Sequence, residues 1–199
     1  MWILYAFGSA FFAGLTAVLA KCGIEHTNSH LATALRTIIV LIFSWIMVGI
    51  VGSFSSIHTI THKTFLFLIL SGISTGASWL CYFKALQLGN INKVTAVDKT
   101  SVVLTIILSL IFFKESVTVY KIIGMIILTT GTYLMVEKKK GTAQTSNAWL
   151  FYAVLSVVFA SLTTILGKIG ITNIESNLGT AIRTSVVPVS YTHLRAHET

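Results

Sequence analysis

Long apolar stretches, separated by short polar ones, occupy most of the chain. They cover residues 2–20, 31–52, 64–83, 94–113, 119–136 and 148–167, and residues 178–187 begin a seventh. A helix needs about 20 apolar residues to cross a bilayer, and most of the stretches approach or reach that length. They are too long for the roughly 10-residue alternating strands of a membrane barrel. The pattern therefore predicts an all-α integral membrane protein.

The amino-acid composition excludes several classes of protein. Hydrophobic residues make up 54% of the 199 residues and charged residues only 10%, and the mean hydropathy is +0.84. Such a chain is neither a cytosolic globule, a disordered tail nor a small secreted scaffold. The net charge is +8, but the basic residues lie mostly between apolar stretches, as they do at membrane boundaries, so we expect no nucleic-acid partner. Cys22 and Cys81 form no disulfide or metal-ligand pattern, and we expect no cofactor and no metal.

The start of the chain is repeated 147 residues later. Residues 1–40 and 148–187 share 19 identities without a gap, including Trp2, Lys21, Gly23 and Arg36. Five apolar stretches precede the second copy, so this copy enters the membrane in the opposite orientation. Inverted repeats of this kind are typical of secondary transporters. We predict a first five-helix unit at 1–136, a linker at 137–147 and the start of a second, inverted five-helix unit at 148–187.

The last residues break this pattern. Residues 189–199, VSYTHLRAHET, are polar and resemble one reading frame of a sequencing-library adapter. The repeat match ends where this segment begins. We therefore expect 188–199 to be a non-native tail and the natural chain to continue further.

Four segments carry a resemblance to a known family. They are Arg36 near the start of the second stretch, YFKALQLG at 82–89, LSLIFFKES at 108–116 and IIGMIILTTGTYLM at 122–135. Together they resemble the EamA domain of the drug/metabolite transporter superfamily. The resemblance implies ten helices in two five-helix units that move small metabolites. The chain departs from the family at TAVDK, residues 95–99, where Pro is common, and at Lys114, where Gly is usual.

Polar residues inside the stretches are the candidate functional residues. A charged side chain at mid-membrane costs about 2.5–3.5 kcal/mol on insertion scales. The presence of Asp98 and Lys99 inside the fourth stretch therefore requires a structural or functional explanation. Asp98 shares a helix face with Ser101, Thr105 and Ser109, and a second polar stripe runs along the third stretch. We predict a substrate or ion pathway formed by Asp98, Lys99, Ser101, Thr105, Arg36, Ser74, Ser78, Trp79, Tyr82 and Lys84.

Several alternatives stay open for these residues. Serine and threonine stripes also serve close helix packing. Lys99 can extend toward the interface, and Asp98 can pair with Arg36 or Lys84. Arg36 and its repeat counterpart Arg183 either contact an anionic group or anchor their helices.

The sequence favours a secondary carrier that works by alternating access, coupled to a proton or ion at Asp98. The alternative is a non-transporting membrane scaffold whose polar stripes only pack helices. We expect no enzyme, because the spans contain no paired acids, Ser-His set or HExxH motif. The expected partners are the lipid bilayer of the plasma (inner) membrane and a small-molecule substrate, with a homodimer left open. Orientation also stays open, because the two sides carry 4 and 6 lysines.

Overall fold

Seven helices make up the part of the chain that the computed structural model describes, residues 2–24, 29–54, 57, 60–114, 118–135, 148–171 and 174–196. They are α1 (Trp2–Ile24), α2 (Ser29–Val51), α3 (His62–Leu88), α4 (Ile91–Phe113), α5 (Val119–Met135), α6 (Ala148–Gly170) and α7 (Ser176–Ala196). These residues contain no strand. Ala34–Val51 within α2, and the whole of α3, α4 and α6, are long and apolar enough to cross a membrane. The prediction of an all-α integral membrane protein is confirmed.

Helix α3 lies at the centre of the packing. Its most extensive contact is with α6, which also packs on α4, while α7 packs on α3 and α2. Small side chains on α3 allow this close approach, since its buried residues include Ser71, Gly72, Ser74, Gly76 and Ser78. A Cβ at Gly72 would lie 2.5 Å from the Arg183 carbonyl oxygen, so α3 and α7 can meet here only at a glycine.

Two apolar clusters fix the helices around α3. Val48, Leu178 and Ala181 are fully buried between α2 and α7. Ala85, Val94 and Ala153 are buried where α3, α4 and α6 meet, with Tyr82 and Trp149 among the side chains packed around them. The first unit and the repeated segment therefore share their core, because both clusters combine residues from each of them.

Helices α1 and α5 lie at the periphery. Their large apolar side chains are exposed in the isolated chain, as with Leu4 at 72% and Ile127 at 66%. In a membrane protein such side chains face lipid or another membrane segment. Of the α5 side chains, Thr132 is buried.

Several helix ends have a local chemical cause. Asn90 caps α4 by accepting a hydrogen bond from the backbone N–H of Asn92 at 3.0 Å. Gly52, directly after α2, takes a left-handed φ of 74°, which glycine tolerates best. Lys114 ends α4 in the same region, with φ 49°.

Three predictions concern the linker and the last residues of the chain. The predicted linker 137–147 lies outside the described residues. Helix α7 continues through Pro188 to Ala196, whereas the apolar pattern placed the span at 178–187. The interpretation of 188–199 as a non-native tail stays a prediction.

Candidate functional site

The Asp98 carboxyl on α4 lies near side chains of α2 and α6. Asp98 is partly buried on α4, next to the charge of Arg36 on α2 and of its neighbour Lys99. The Ser156 hydroxyl on α6 is a hydrogen-bond partner of the carboxyl. One intramembrane acid is thus surrounded by groups from three helices that are far apart in the sequence.

Aromatic residues of α3 complete this arrangement. The Arg36 guanidinium carbon lies 4.8 Å from the Trp79 ring centroid, within cation–π range. The Tyr82 hydroxyl is electrostatically coupled to Arg36 and Asp98 and is a hydrogen-bond partner of Thr95. We call Asp98, Arg36, Trp79, Tyr82 and Ser156 the Asp98 cluster. It combines an acid, a base, two aromatic rings and a hydroxyl at one place in the bundle.

Arg36 and Asp98 are neighbours without a direct ion pair. Their charges interact, yet no guanidinium nitrogen lies within 4.0 Å of a carboxylate oxygen. Lys84, the other basic partner considered for Asp98, is exposed. The Arg36 Nε atom is buried and has no hydrogen-bond partner among the described residues.

The polar stripe of α3 faces α6. The Ser71 hydroxyl donates to the Thr163 carbonyl at 2.8 Å, and Ser78 donates to the Ser156 carbonyl at 3.1 Å. The Thr75 and Thr163 hydroxyls lie 3.4 Å apart. These bonds join α3 to α6, which is the packing role that the sequence left open for the stripe.

The stripe of α4 also meets α6. The Ser161 hydroxyl has two acceptors for its one proton, the Ser101 carbonyl at 3.1 Å and the Val157 carbonyl of its own helix at 2.9 Å. Helix α6 therefore lies between the two stripes. Among the other predicted residues, Ser74 is buried and Thr105 is partly buried, while Lys99 is exposed. The structure thus brings Asp98, Arg36, Trp79 and Tyr82 together and places Lys84 and Lys99 at exposed positions. A role of the stripes in a pathway stays a prediction.

The sequence did not single out the α6 residues of the site. Ser156 and Ser161 are 1% and 0% exposed and contact α3 and α4 respectively. A signal existed for Ser156, because the repeat aligns it with Ser9. It could not be interpreted, because a repeat shows which helices are alike but not which helices touch.

Comparisons with known proteins place this arrangement in a family. The family model described as "EamA-like transporter family" matches residues 1–137. The protein named "Uncharacterized transporter in cobO 3'region" from Sinorhizobium sp is 40% identical over 134 residues, covering 67% of this chain and 95% of that protein. The "Uncharacterized transporter YxxF" of Bacillus subtilis is 26% identical over 124 residues, covering 60% of this chain and 40% of that protein.

No solved structure matches the chain. The family match covers all five helices of the predicted first unit, including the Asp98, Arg36, Trp79 and Tyr82 positions. The resemblance seen in the sequence is confirmed, and this helical membrane protein belongs to the EamA-like transporter family.

Proposed function

We propose that this protein is a secondary carrier that moves small metabolites across the plasma (inner) membrane and has no enzymatic activity. The Asp98 cluster is the observation that carries this proposal. A carboxyl and a guanidinium lie close together inside the helical bundle without a direct ion pair, and two aromatic rings adjoin them. Ionisable residues within membrane spans are costly and commonly mark substrate or ion pathways.

The chemistry of the cluster suits a small polar solute. Asp98 can accept a proton or bind a cation, and Arg36 can bind an anionic group. Trp79 and Tyr82 offer ring faces to the apolar part of the same solute. We propose that a proton or ion binds and leaves at Asp98, and that this step couples the gradient of the proton or ion to solute movement.

Alternating access would arise from relative movement of two inverted units. The repeat supports this, because α6 and α7 copy α1 and α2 and pack directly on α2, α3 and α4. Rocking of one repeat against the other around a central site is the usual mechanism in folds of this kind. The Sinorhizobium relative is little longer than its matched segment, which corresponds to one five-helix unit. Two units can therefore also come from two copies of a chain. We propose a homodimer as the way in which this protein would pair them.

Solute release from liposomes tests the carrier proposal. The purified protein is reconstituted into liposomes loaded with a defined mixture of amino acids, organic acids, sugars and nucleosides. Mass spectrometry then follows each compound outside the liposomes under an imposed pH gradient. We expect one chemical class to leave faster than from protein-free liposomes. Equal release of every compound, by a protein that is shown to be folded and inserted, would contradict the proposal.

A non-transporting scaffold is the second candidate. The hydrogen bonds of Ser71 and Ser78 to α6 favour it, because they assign part of the α3 stripe to packing. The scaffold hypothesis predicts that alanine substitutions at Asp98, Ser101 and Thr105 lower stability without altering the release of any solute. The carrier predicts that Asp98→Ala abolishes release in protein that remains folded.

A further inference from the structure

Two arginines at equivalent repeat positions are partly buried, and each has one buried nitrogen without a hydrogen-bond partner. Arg36 and Arg183 lie 147 residues apart, and each is the seventh residue after the start of its helix, Ser29 in α2 and Ser176 in α7. The Nε atom of each is buried and has no hydrogen-bond partner. Unpaired buried donors are rare in folded proteins, and two at matching positions indicate a shared purpose.

The Arg183 side chain lies where α3, α6 and α7 meet. Its Nη1 atom lies 3.3 Å from the point that a Cβ on Gly167 would occupy, and the Ser71 hydroxyl lies equally close to that point. Ser71 donates its own proton to the Thr163 carbonyl. In the described part of the chain no acidic side chain lies within 4.0 Å of Arg183.

The charge of the Arg36 side chain is only partly compensated by neighbouring groups. Its guanidinium lies over the Trp79 ring at 4.8 Å, and the charge of Asp98 is near but beyond ion-pair distance. A cation–π contact satisfies no N–H donor in the guanidinium plane. Both arginines therefore retain a hydrogen-bond donor, the Nε–H, that the described part of the chain does not satisfy.

An anion is the acceptor that fits these donors. A guanidinium N–H that is buried without an acceptor is unfavourable, because its hydration is lost and no hydrogen bond replaces it. The planar fork of a guanidinium matches carboxylate and phosphate groups, which can accept two hydrogen bonds at once. A solute that brings such a group would satisfy either arginine.

The positions of the two arginines suit successive binding. At 1.5 Å per residue, each lies about 10 Å along its helix from the first residue. If α7 is inverted relative to α2, the helices begin at opposite membrane surfaces and the arginines lie toward opposite sides. One arginine then lies toward each side of the membrane, with the α2–α7 contact between them.

We propose that Arg36 and Arg183 are two equivalent sites that bind the carboxylate or phosphate group of the transported solute, one toward each side of the membrane. This inference rests on the proposed carrier function and adds the chemical class of the solute, an organic anion or a zwitterion with an acidic group. At Arg36, Asp98 would stay beside the bound anion and supply the coupling proton.

Equilibrium binding tests the two sites without requiring transport. The protein is placed in nanodiscs of phosphatidylcholine and titrated with acetate and with inorganic phosphate. Trp79 reports on Arg36, whose guanidinium carbon lies 4.8 Å from its ring centroid, in a protein whose other tryptophans are replaced by Phe. Isothermal titration calorimetry of the unaltered protein and of the arginine variants counts the anions bound at both sites.

We expect two saturable sites by calorimetry and a saturable fluorescence change of Trp79. Arg36→Gln should weaken the apparent affinity seen by Trp79 about tenfold or more, and Arg183→Gln should weaken the other calorimetric site by a similar factor, since charge-assisted hydrogen bonds are lost. Arg→Lys variants, which keep the charge, should retain intermediate affinity and cover the case in which a Gln variant fails to fold. Lys63→Gln, at an exposed position at the start of α3, is the matched control and should bind like the unaltered protein.

Three results would overturn the inference. One is no saturable response to either anion. Another is binding that neither Arg36→Gln nor Arg183→Gln weakens. The third is a response only when the nanodiscs contain phosphatidylglycerol, which would assign the arginines to lipid headgroups. Anion binding without solute release from liposomes would support the two sites and contradict the carrier proposal, so the two failures are distinguishable.

Discussion

Ser78 and Ser156 bind each other's helices reciprocally. The Ser78 hydroxyl lies 3.1 Å from the Ser156 carbonyl oxygen, the Ser156 hydroxyl lies 3.1 Å from the Ser78 carbonyl oxygen, and the two hydroxyls are 3.3 Å apart. Ser156 has one hydroxyl proton and two acceptors for it, the Ser78 carbonyl and the Asp98 carboxyl. The α3–α6 contact is therefore linked chemically to the candidate site.

Alanine substitutions at this pair should be non-additive. We expect Ser78→Ala and Ser156→Ala each to lower the free energy of unfolding in detergent. The double variant should lose less than the sum, with a coupling of about 0.6 kcal/mol, typical of hydrogen bonds between membrane helices. Thr129→Ala is the control, because this exposed hydroxyl bonds only within its own helix, to the Met125 carbonyl. Strict additivity would show that the two hydroxyls, 3.3 Å apart, do not interact directly.

Gly72 should tolerate no side chain. A Cβ there would lie 2.5 Å from the Arg183 carbonyl oxygen and 2.8 Å from the Val186 Cβ, so Gly72→Ala must push α3 and α7 apart. We expect a destabilisation of about 1–3 kcal/mol, as for overpacked cores. Gly8→Ala on α1, where nothing lies within 4 Å of the added Cβ, should be neutral or slightly stabilising. Thermal unfolding in detergent compares the two, and equal melting temperatures would show that the α3–α7 contact is looser than described.

Lys114 is a residue whose replacement should stabilise the protein. It has a φ of 49° at the end of α4, a conformation that costs a residue with a Cβ roughly 1–2 kcal/mol. Lys114→Gly should therefore raise the free energy of unfolding by about 1 kcal/mol, offset in part by the greater freedom of glycine in the unfolded chain. Lys63→Gly, in the first turn of α3, should instead destabilise. A fall in stability for Lys114→Gly would contradict the left-handed helix end.

Glu175 should make stability depend on pH. The backbone N–H of Asn177, together with further donors from Leu178, Ser53 and the Asn177 side chain, lowers the pKa of this partly exposed carboxyl below its ordinary value. A lowered folded-state pKa gives stabilisation that is present above the unfolded-state pKa and is lost as the pH falls through the folded-state value. The effect should be small because solvent reaches the carboxyl and screens its interactions.

Glu175→Gln should therefore flatten this acid dependence. Melting temperatures measured in detergent between about pH 6 and pH 3 should fall less for the variant than for the unaltered protein. Ser53→Ala removes one of the donors, at 2.8 Å, and should give an intermediate slope. Identical slopes for all three proteins would show that these donors do not stabilise the Glu175 carboxylate.

The sequence predicted the helices well because hydrophobicity governs insertion, but it placed their ends less accurately. The third stretch was predicted at 64–83, whereas α3 runs from His62 to Leu88. The helix continues beyond the apolar stretch through polar residues such as Lys84 and Gln87, because helix ends depend on caps and turns rather than on lipid contact. The apolar pattern gives the part of a helix that hydrocarbon can solvate.

Four of the five residues of the Asp98 cluster were predicted from the sequence, and the fifth, Ser156, depended on which helices meet. Asp98 and Arg36 were identified because charges inside apolar stretches are costly wherever they lie. Ser156 was not, because a buried serine on an apolar helix acquires a role only through its neighbours. Its contacts with Ser78 and Asp98 span 78 and 58 residues of sequence, and no local pattern encodes such a pairing.

Solute movement by an Asp98 variant tests the central claim most directly. The compound released in the liposome experiment is used, and its flux and the accompanying change in internal pH are measured for the unaltered protein, Asp98→Asn and the control Lys63→Gln. We predict that Asp98→Asn lowers the flux about tenfold or more and removes its response to the pH gradient, while Lys63→Gln leaves both unchanged. Unchanged flux and unchanged pH response in folded Asp98→Asn would show that the Asp98 cluster is not the transport site.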